Sequence, residues 1–207
     1  MTHLPRTIGL ILAGGRSRRM QGRDKALLAV QGETLLAQVV RRLHPQVDAL
    51  ALNSNAAPAV FAAYGLPVLP DRLAGFLGPL AGIHAGLLQY PEDYLVTVAV
   101  DLPFLPPDLV RRLRAGLGTK PCAFASDGEQ HALVLLWRPG TVASVEEYLQ
   151  RGTRSLKDFL AVHGQPVRFD RPQDRGLFCN INTPEDLARA ERDVELLVLS
   201  SAADEHR

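Results

Sequence analysis

Apolar positions in the first half of the chain alternate between two periods. At 8–12, Ile8, Leu10, Ile11 and Leu12 make a nearly all-apolar run that ends at Gly14-Gly15. A run apolar on both faces predicts a central strand of a parallel sheet. Over 34–43 the spacing becomes helical, with Leu35, Leu36, Val39, Val40 and Leu43 on one side and Pro45 as the stop. The alternation then repeats. Residues 47–52 predict a strand ending at Asn53, 57–64 a helix and 67–69 a short strand; a loop holding Gly75, Gly78, Pro79 and Gly82 then leads into a helix running to Leu88. Residues 94–100 predict a strong strand that ends at Asp101, and Pro106 and Pro107 open a further helix, proline being favoured in a first turn. The second half is less regular. It predicts a strand at 131–137, helices at 142–150 and 156–162, and a last helix at 184–198 capped by Thr183 with Pro184 in its first turn.

Strand and helix in this alternation imply an α/β fold: a single Rossmann-like, doubly wound, mostly parallel sheet with right-handed crossovers. The 207 residues suffice for one domain, expected over 1–200 with 201–207 as a flexible tail. Composition narrows the partners. A formal net charge of +1 supplies no electrostatic ground for a nucleic-acid surface. No apolar stretch reaches the roughly 18 residues that would cross a membrane, and the N-terminal run is too short for a signal peptide. Cys122 and Cys179 form no CxxC pair, so they read as reduced thiols. The expectation is a cytoplasmic protein and, for a small domain without an exposed heptad, a monomer.

The chemistry concentrates after the first strand, in LAGGRSRRMQGRDK at 12–25. In open α/β sheets, ligands bind beyond the carboxyl ends of the strands, which is where this loop falls. Gly14 and Gly15 let main-chain amides approach an anion closely. Arg16, Arg18, Arg19, Arg23 and Lys25 follow them, and arginine offers forked donors to phosphate oxygens. The loop is neither a P-loop, which needs GxxxxGK followed by Ser or Thr, nor a GxGxxG dinucleotide fingerprint. A solvated basic turn is the bland reading, and the position after a buried strand weighs against it.

Other polar residues gather at the same sheet edge. Asp101 ends its strand in Val-Ala-Val-Asp-Leu-Pro-Phe, and Mg²⁺ favours carboxylate, water and phosphate oxygens. Asn53 and Asp71 each follow a strand and would line the same edge with a carboxamide and a carboxylate. Taken singly, Asn53 and Asp71 favour turn or cap roles, and the bland reading of Asp101 is a turn cap with Pro103. His131 reads as structural, or as lying on the acceptor side; His84 reads as a packing residue and Trp137 as core.

The loop, with Gly78-Pro79-Leu80-Ala81-Gly82 and the late segment Asn180-Ile181-Asn182-Thr183-Pro184-Glu185-Asp186-Leu187, resembles the nucleotidyltransferases that include the molybdenum cofactor guanylyltransferases, over nearly the whole of 8–187. One departure is Gln21, where the family often has glycine. The resemblance implies the nucleotide-diphospho-sugar transferase type of fold and transfer of GMP from GTP to Mo-molybdopterin with Mg²⁺. It implies nucleotide contacts from Leu12, Ala13, Gly14, Gly15, Lys25, Asn53, Asp71, Gly78, Gly82 and Asp101, with Asp101 as the metal ligand. Arg19, Lys25 and Asp101 would be catalytic, and Asn180 and Asn182 would face the acceptor. Transient contact with other cofactor-biosynthesis or target enzymes would follow. Three alternatives stay open: a cytidylyltransferase for the same cofactor, a sugar-phosphate nucleotidyltransferase, and a GTP-binding partner without activity.

Overall fold

The structure, a computed structural model, describes residues 4–13, 24–30, 32–73, 78–152, 154–182, 185–186 and 188. In chain order the elements are β1 (Thr7–Leu12), β2 (Ala29–Val30), β3 (Glu33–Thr34), α1 (Leu35–Leu43), β4 (Ala49–Asn53), β5 (Val68–Leu69), α2 (Pro79–Gln89), β6 (Tyr94–Ala99), α3 (Leu109–Gly116), β7 (Cys122–Ser126), β8 (Gln130–Trp137), α4 (Val142–Gln150), α5 (Leu156–His163) and β9 (Gly164–Arg168). Seven strands form one sheet in the order β5-β4-β1-β6-β8-β7-β9, and β2 and β3 form a separate small ladder. Strands β5, β4, β1 and β6 pair in parallel, as do β7 and β9. Strand β8 runs against both β6 and β7. The sheet is therefore mostly parallel, as the alternation predicts.

Strand pleating explains the layers. Ile8, Leu10 and Leu12 of β1 face one way, and Ile11 faces the other. The first set packs with Leu80, Ile83 and Leu87 of α2, Val145 of α4, and Leu156, Phe159 and Leu160 of α5. On the opposite face, Ile11, Leu52, Val96 and Val98 pack with Leu36, Val39 and Leu43 of α1 and Leu109, Val110 and Leu113 of α3. Trp137 is fully buried, as expected. The chain moves from β1 outward to β4 and β5, then returns past β1 to β6. Strand order reverses between β1 and β6, and this switch point opens the crevice in which α/β sheets hold ligands.

Two local outcomes differ from the pattern. The segment at 57–64 is a 3-10 helix, Pro58–Tyr64, with Phe61 as its buried residue; its exposed, proline-led sequence has too narrow an apolar face to hold full α turns against the sheet. Helix α3 begins at Leu109, after Pro106 and Pro107, and its start is fixed from a distance: the Val110 N–H donates to Gln46 Oε1 at 3.1 Å. The last helix falls mostly outside the described residues; residues 185, 186 and 188 are helical. Neither Cys122 nor Cys179 forms a disulfide. Burial pushes the Cys122 thiol up to about 12 despite nearby Lys120. Among the described residues, no helix is long and apolar enough to cross a membrane.

Candidate functional site

The carboxyl ends of β1, β4 and β6 are stitched together by main-chain bonds. The Ala13 N–H donates to Asn53 O at 2.9 Å, and the Val100 N–H donates to Leu12 O at 3.1 Å. Leu12 is buried and Ala13 half-buried, so the main chain leaves β1 at the switch point. Gly14, Gly15 and Arg19 lie outside the described residues.

Lys25 enters this crevice on a short 3-10 turn, Lys25–Leu27, whose cap is Asp24: Asp24 Oδ1 accepts the Ala26 N–H at 3.0 Å. Ala26 is fully buried and anchors the turn. Lys25 is 8% exposed, and its Nζ donates to Asp101 Oδ2 at 2.9 Å and to Asn182 Oδ1 at 2.5 Å. The loop after β1, the end of β6 and the late segment thus meet at one ammonium. The main chain reinforces the meeting, because the Ile181 N–H donates to Asp101 O at 2.9 Å. An ammonium has three N–H donors, and among the described residues two of them are taken, by Asp101 and Asn182.

Asp101 Oδ1 is buried and has no hydrogen-bond partner among the described residues, whereas Oδ2 is held by Lys25. An ionised carboxylate oxygen left in this state favours a cation. Among the described residues, no three His, Cys, Asp or Glu side chains gather as a metal cage. The donor set therefore fits a hard divalent ion that takes its remaining ligands from phosphate and water.

A second cluster lies beyond β4. Asn53 Nδ2 donates to Leu69 O and to Asp71 Oδ1, both at 3.0 Å. Asn55 Nδ2 donates to Asp71 Oδ2 at 2.8 Å, and the Asp71 N–H donates to Asn55 Oδ1 at 2.9 Å. Gly82, in the second turn of α2, lies so close to the Asn53 carboxamide that a Cβ there would collide with it. Gly78 precedes the helix at φ +59°, a left-handed conformation that glycine adopts freely. Asn53, Asp71 and Gly82 thus come together, as the topology implies. Asn55 was not singled out by the sequence, although its spacing of two from Asn53 puts both amides beside one strand end.

The late segment departs from expectation. Alternation along a short strand would put Asn180 and Asn182 on one face, but residues 175–182 form turns and irregular chain. Leu177, Phe178 and Ile181 are drawn into buried positions, and their spacing bends the chain. Asn182 reaches Lys25, while Asn180 is exposed. Phe178 stacks on His131 with ring centroids 4.5 Å apart, and His131 Nε2 lies 2.8 Å from Asp127 Oδ1. His84 is buried, and its Nε2 lies 3.0 Å from Glu146 Oε1 on α4.

Residues 9–167 match the model of the MobA-like NTP transferase domain. The chain belongs to the MobA-like NTP transferase family. Among MobA-like relatives, a protein of Mesorhizobium japonicum called molybdenum cofactor guanylyltransferase is 43% identical over 195 residues, covering 89% of this chain and 94% of that one. A Yersinia pestis protein of the same description is 41% identical over 184 residues, with 88% and 93% covered. In three dimensions the chain is similar to molybdopterin-guanine dinucleotide biosynthesis protein A of Archaeoglobus fulgidus, with a TM-score of 0.70, 25% identity, and 89% and 97% of the two chains covered. A Mycobacterium tuberculosis protein crystallised in complex with manganese shares the fold at a TM-score of 0.64 and 19% identity, with 91% and 98% covered.

Proposed function

We propose that this MobA-like protein transfers GMP from GTP to Mo-molybdopterin, releasing pyrophosphate. The observation that carries the reading is Lys25, whose ammonium joins Asp101 at the switch point to Asn182 of the late segment. The names of the relatives at 43% and 41% identity support the donor and the acceptor.

An oxygen of the terminal phosphate of molybdopterin attacks the α-phosphorus of GTP in line. The bond from the α-phosphorus to the bridging oxygen breaks, and pyrophosphate departs with that electron pair. The attacking oxygen is anionic at neutral pH, so no protein base is required. Positioning and charge neutralisation then carry the catalysis. Lys25 directs its third N–H at the phosphates. Arg19 and the main chain at Gly14 and Gly15 complete the phosphate grip. Asp101 would hold Mg²⁺ through Oδ1, and the ion would supply charge neutralisation at the phosphate oxygens. Asp71, with Asn53, faces the base, and Asn182 and Asn180 face the acceptor.

Purified protein given GTP, CTP or ATP with molybdopterin or a sugar phosphate, and followed by pyrophosphate release, tests this. Release only with GTP and molybdopterin is expected. Release with CTP instead would move the assignment to the cytidylyltransferase, turnover of a sugar phosphate would move it to that class, and GTP binding without release would leave a binding protein.

A further inference from the structure

We infer that Asn55 is a positioning residue for base selection: its carboxamide, with that of Asn53, fixes the Asp71 carboxylate as a pair of aligned acceptors for guanine. The inference rests on the guanine reading above and adds the device that would make it selective.

Three bonds define the device. Asp71 Oδ1 accepts from Asn53 at 3.0 Å and Oδ2 accepts from Asn55 at 2.8 Å, so both carboxylate oxygens are tied. The main-chain N–H of Asp71 donates to Asn55 Oδ1 at 2.9 Å, so one amide grips both the backbone and the side chain of the same residue. The orientation of Asn53 is itself fixed, because its Nδ2 meets two acceptors, Leu69 O and Asp71 Oδ1. A carboxylate bends and rotates freely about its last torsion unless both oxygens are restrained. Here they are restrained while Asp71 stays partly open to solvent.

Each carboxylate oxygen offers about two lone-pair sites, so each keeps one for a ligand after accepting an amide. Two parallel acceptors match two parallel donors, which guanine presents as N1–H and the N2 amino group. Hypoxanthine keeps N1–H and lacks the amino group. Cytosine and adenine place a ring-nitrogen acceptor beside their amino group, and that lone pair would face the carboxylate. A buried or partly buried acceptor left without its donor is the largest source of discrimination in such sites. Asp71 makes the selection, and Asn55 holds the angle that allows two bonds at once.

Calorimetric binding of GTP and of ITP, each with Mg²⁺, measures the second bond directly, because the two bases differ only by the N2 amino group. Wild-type protein is expected to bind GTP about tenfold more tightly than ITP, the worth of one bond to a charged acceptor. In Asn55→Ala the ratio is expected to fall to about twofold, through weaker GTP binding with ITP binding little changed. Asn55→Asp, which keeps the size and sets a second carboxylate against Asp71, is expected to lower the ratio likewise. In an Asp71→Asn background, adding Asn55→Ala should leave the ratio unchanged, since the two residues act as one unit. A folded Asn55→Ala protein with the full wild-type ratio would overturn the inference and leave the guanine reading intact. A wild-type protein that binds GTP and ITP equally would remove the guanine reading of Asp71, and the inference with it.

Discussion

At the scale of single residues, the site is a set of partial satisfactions. Among the described residues, Lys25 spends two N–H groups on Asp101 and Asn182, and Asp101 keeps one oxygen unpaired. Both residues are poised for ligand at little structural cost. Asp101→Asn keeps an oxygen for Lys25 and removes the charge, so turnover is expected to fall about 10²- to 10³-fold, with circular dichroism unchanged. Gly82→Ala tests a different atom. Its methyl group would displace the Asn53 carboxamide and so loosen Asp71. The expected result is weaker GTP binding, seen as a raised KM for GTP, with kcat affected less.

At the scale of elements, what the sequence could predict depended on how many faces of each element are buried. Strands β1 and β6, buried on both faces, are near-continuous apolar runs and were legible to within a residue. Helix α4 was legible over its full length. Strand β7 was not read as one, because Cys122, Ala123 and Ala125 are small and carry little apolar signal. Strand β9 also went unread: it is an edge strand, partly exposed, with Pro166 in it, and proline is tolerated there because one side of an edge strand needs no donors. The candidate site was legible where motif residues end strands, as at Asn53 and Asp101, and where Lys25 closes the glycine-rich loop. The short-strand placement of Asn180 was not borne out, because apolar anchors, rather than strand alternation, shape its segment. The role of Asp24 also emerges only from the folded turn. Asp24→Ala removes the cap of the turn that carries Lys25, and a loss of about 1 kcal/mol in a urea titration is expected. A drop in turnover larger than the stability loss explains would mark it as a positioning residue for Lys25.

At the scale of the whole molecule, a buried ion pair ties the turn that follows β9 to helix α3. Arg112 of α3 donates to both oxygens of Asp174, at 2.8 and 3.0 Å, and to Arg168 O at 2.6 Å, with its guanidinium 3.8 Å from the Phe169 ring centre. Asp174 is 3% exposed and Arg112 is 9% exposed. Removing one partner strands the other charge in the interior, so Asp174→Ala is expected to cost about 3–5 kcal/mol of unfolding free energy, measured by chemical denaturation. A loss below 1 kcal/mol would show that the guanidinium finds water instead.

The bond from Ile181 to Asp101 has a consequence for the timing of synthesis. A nascent chain that has emerged only as far as residue 150 already holds Lys25 and Asp101, and it lacks Ile181 and Asn182, which bond to them. Those two contacts therefore form only once the final stretch emerges, and a truncated product goes without them.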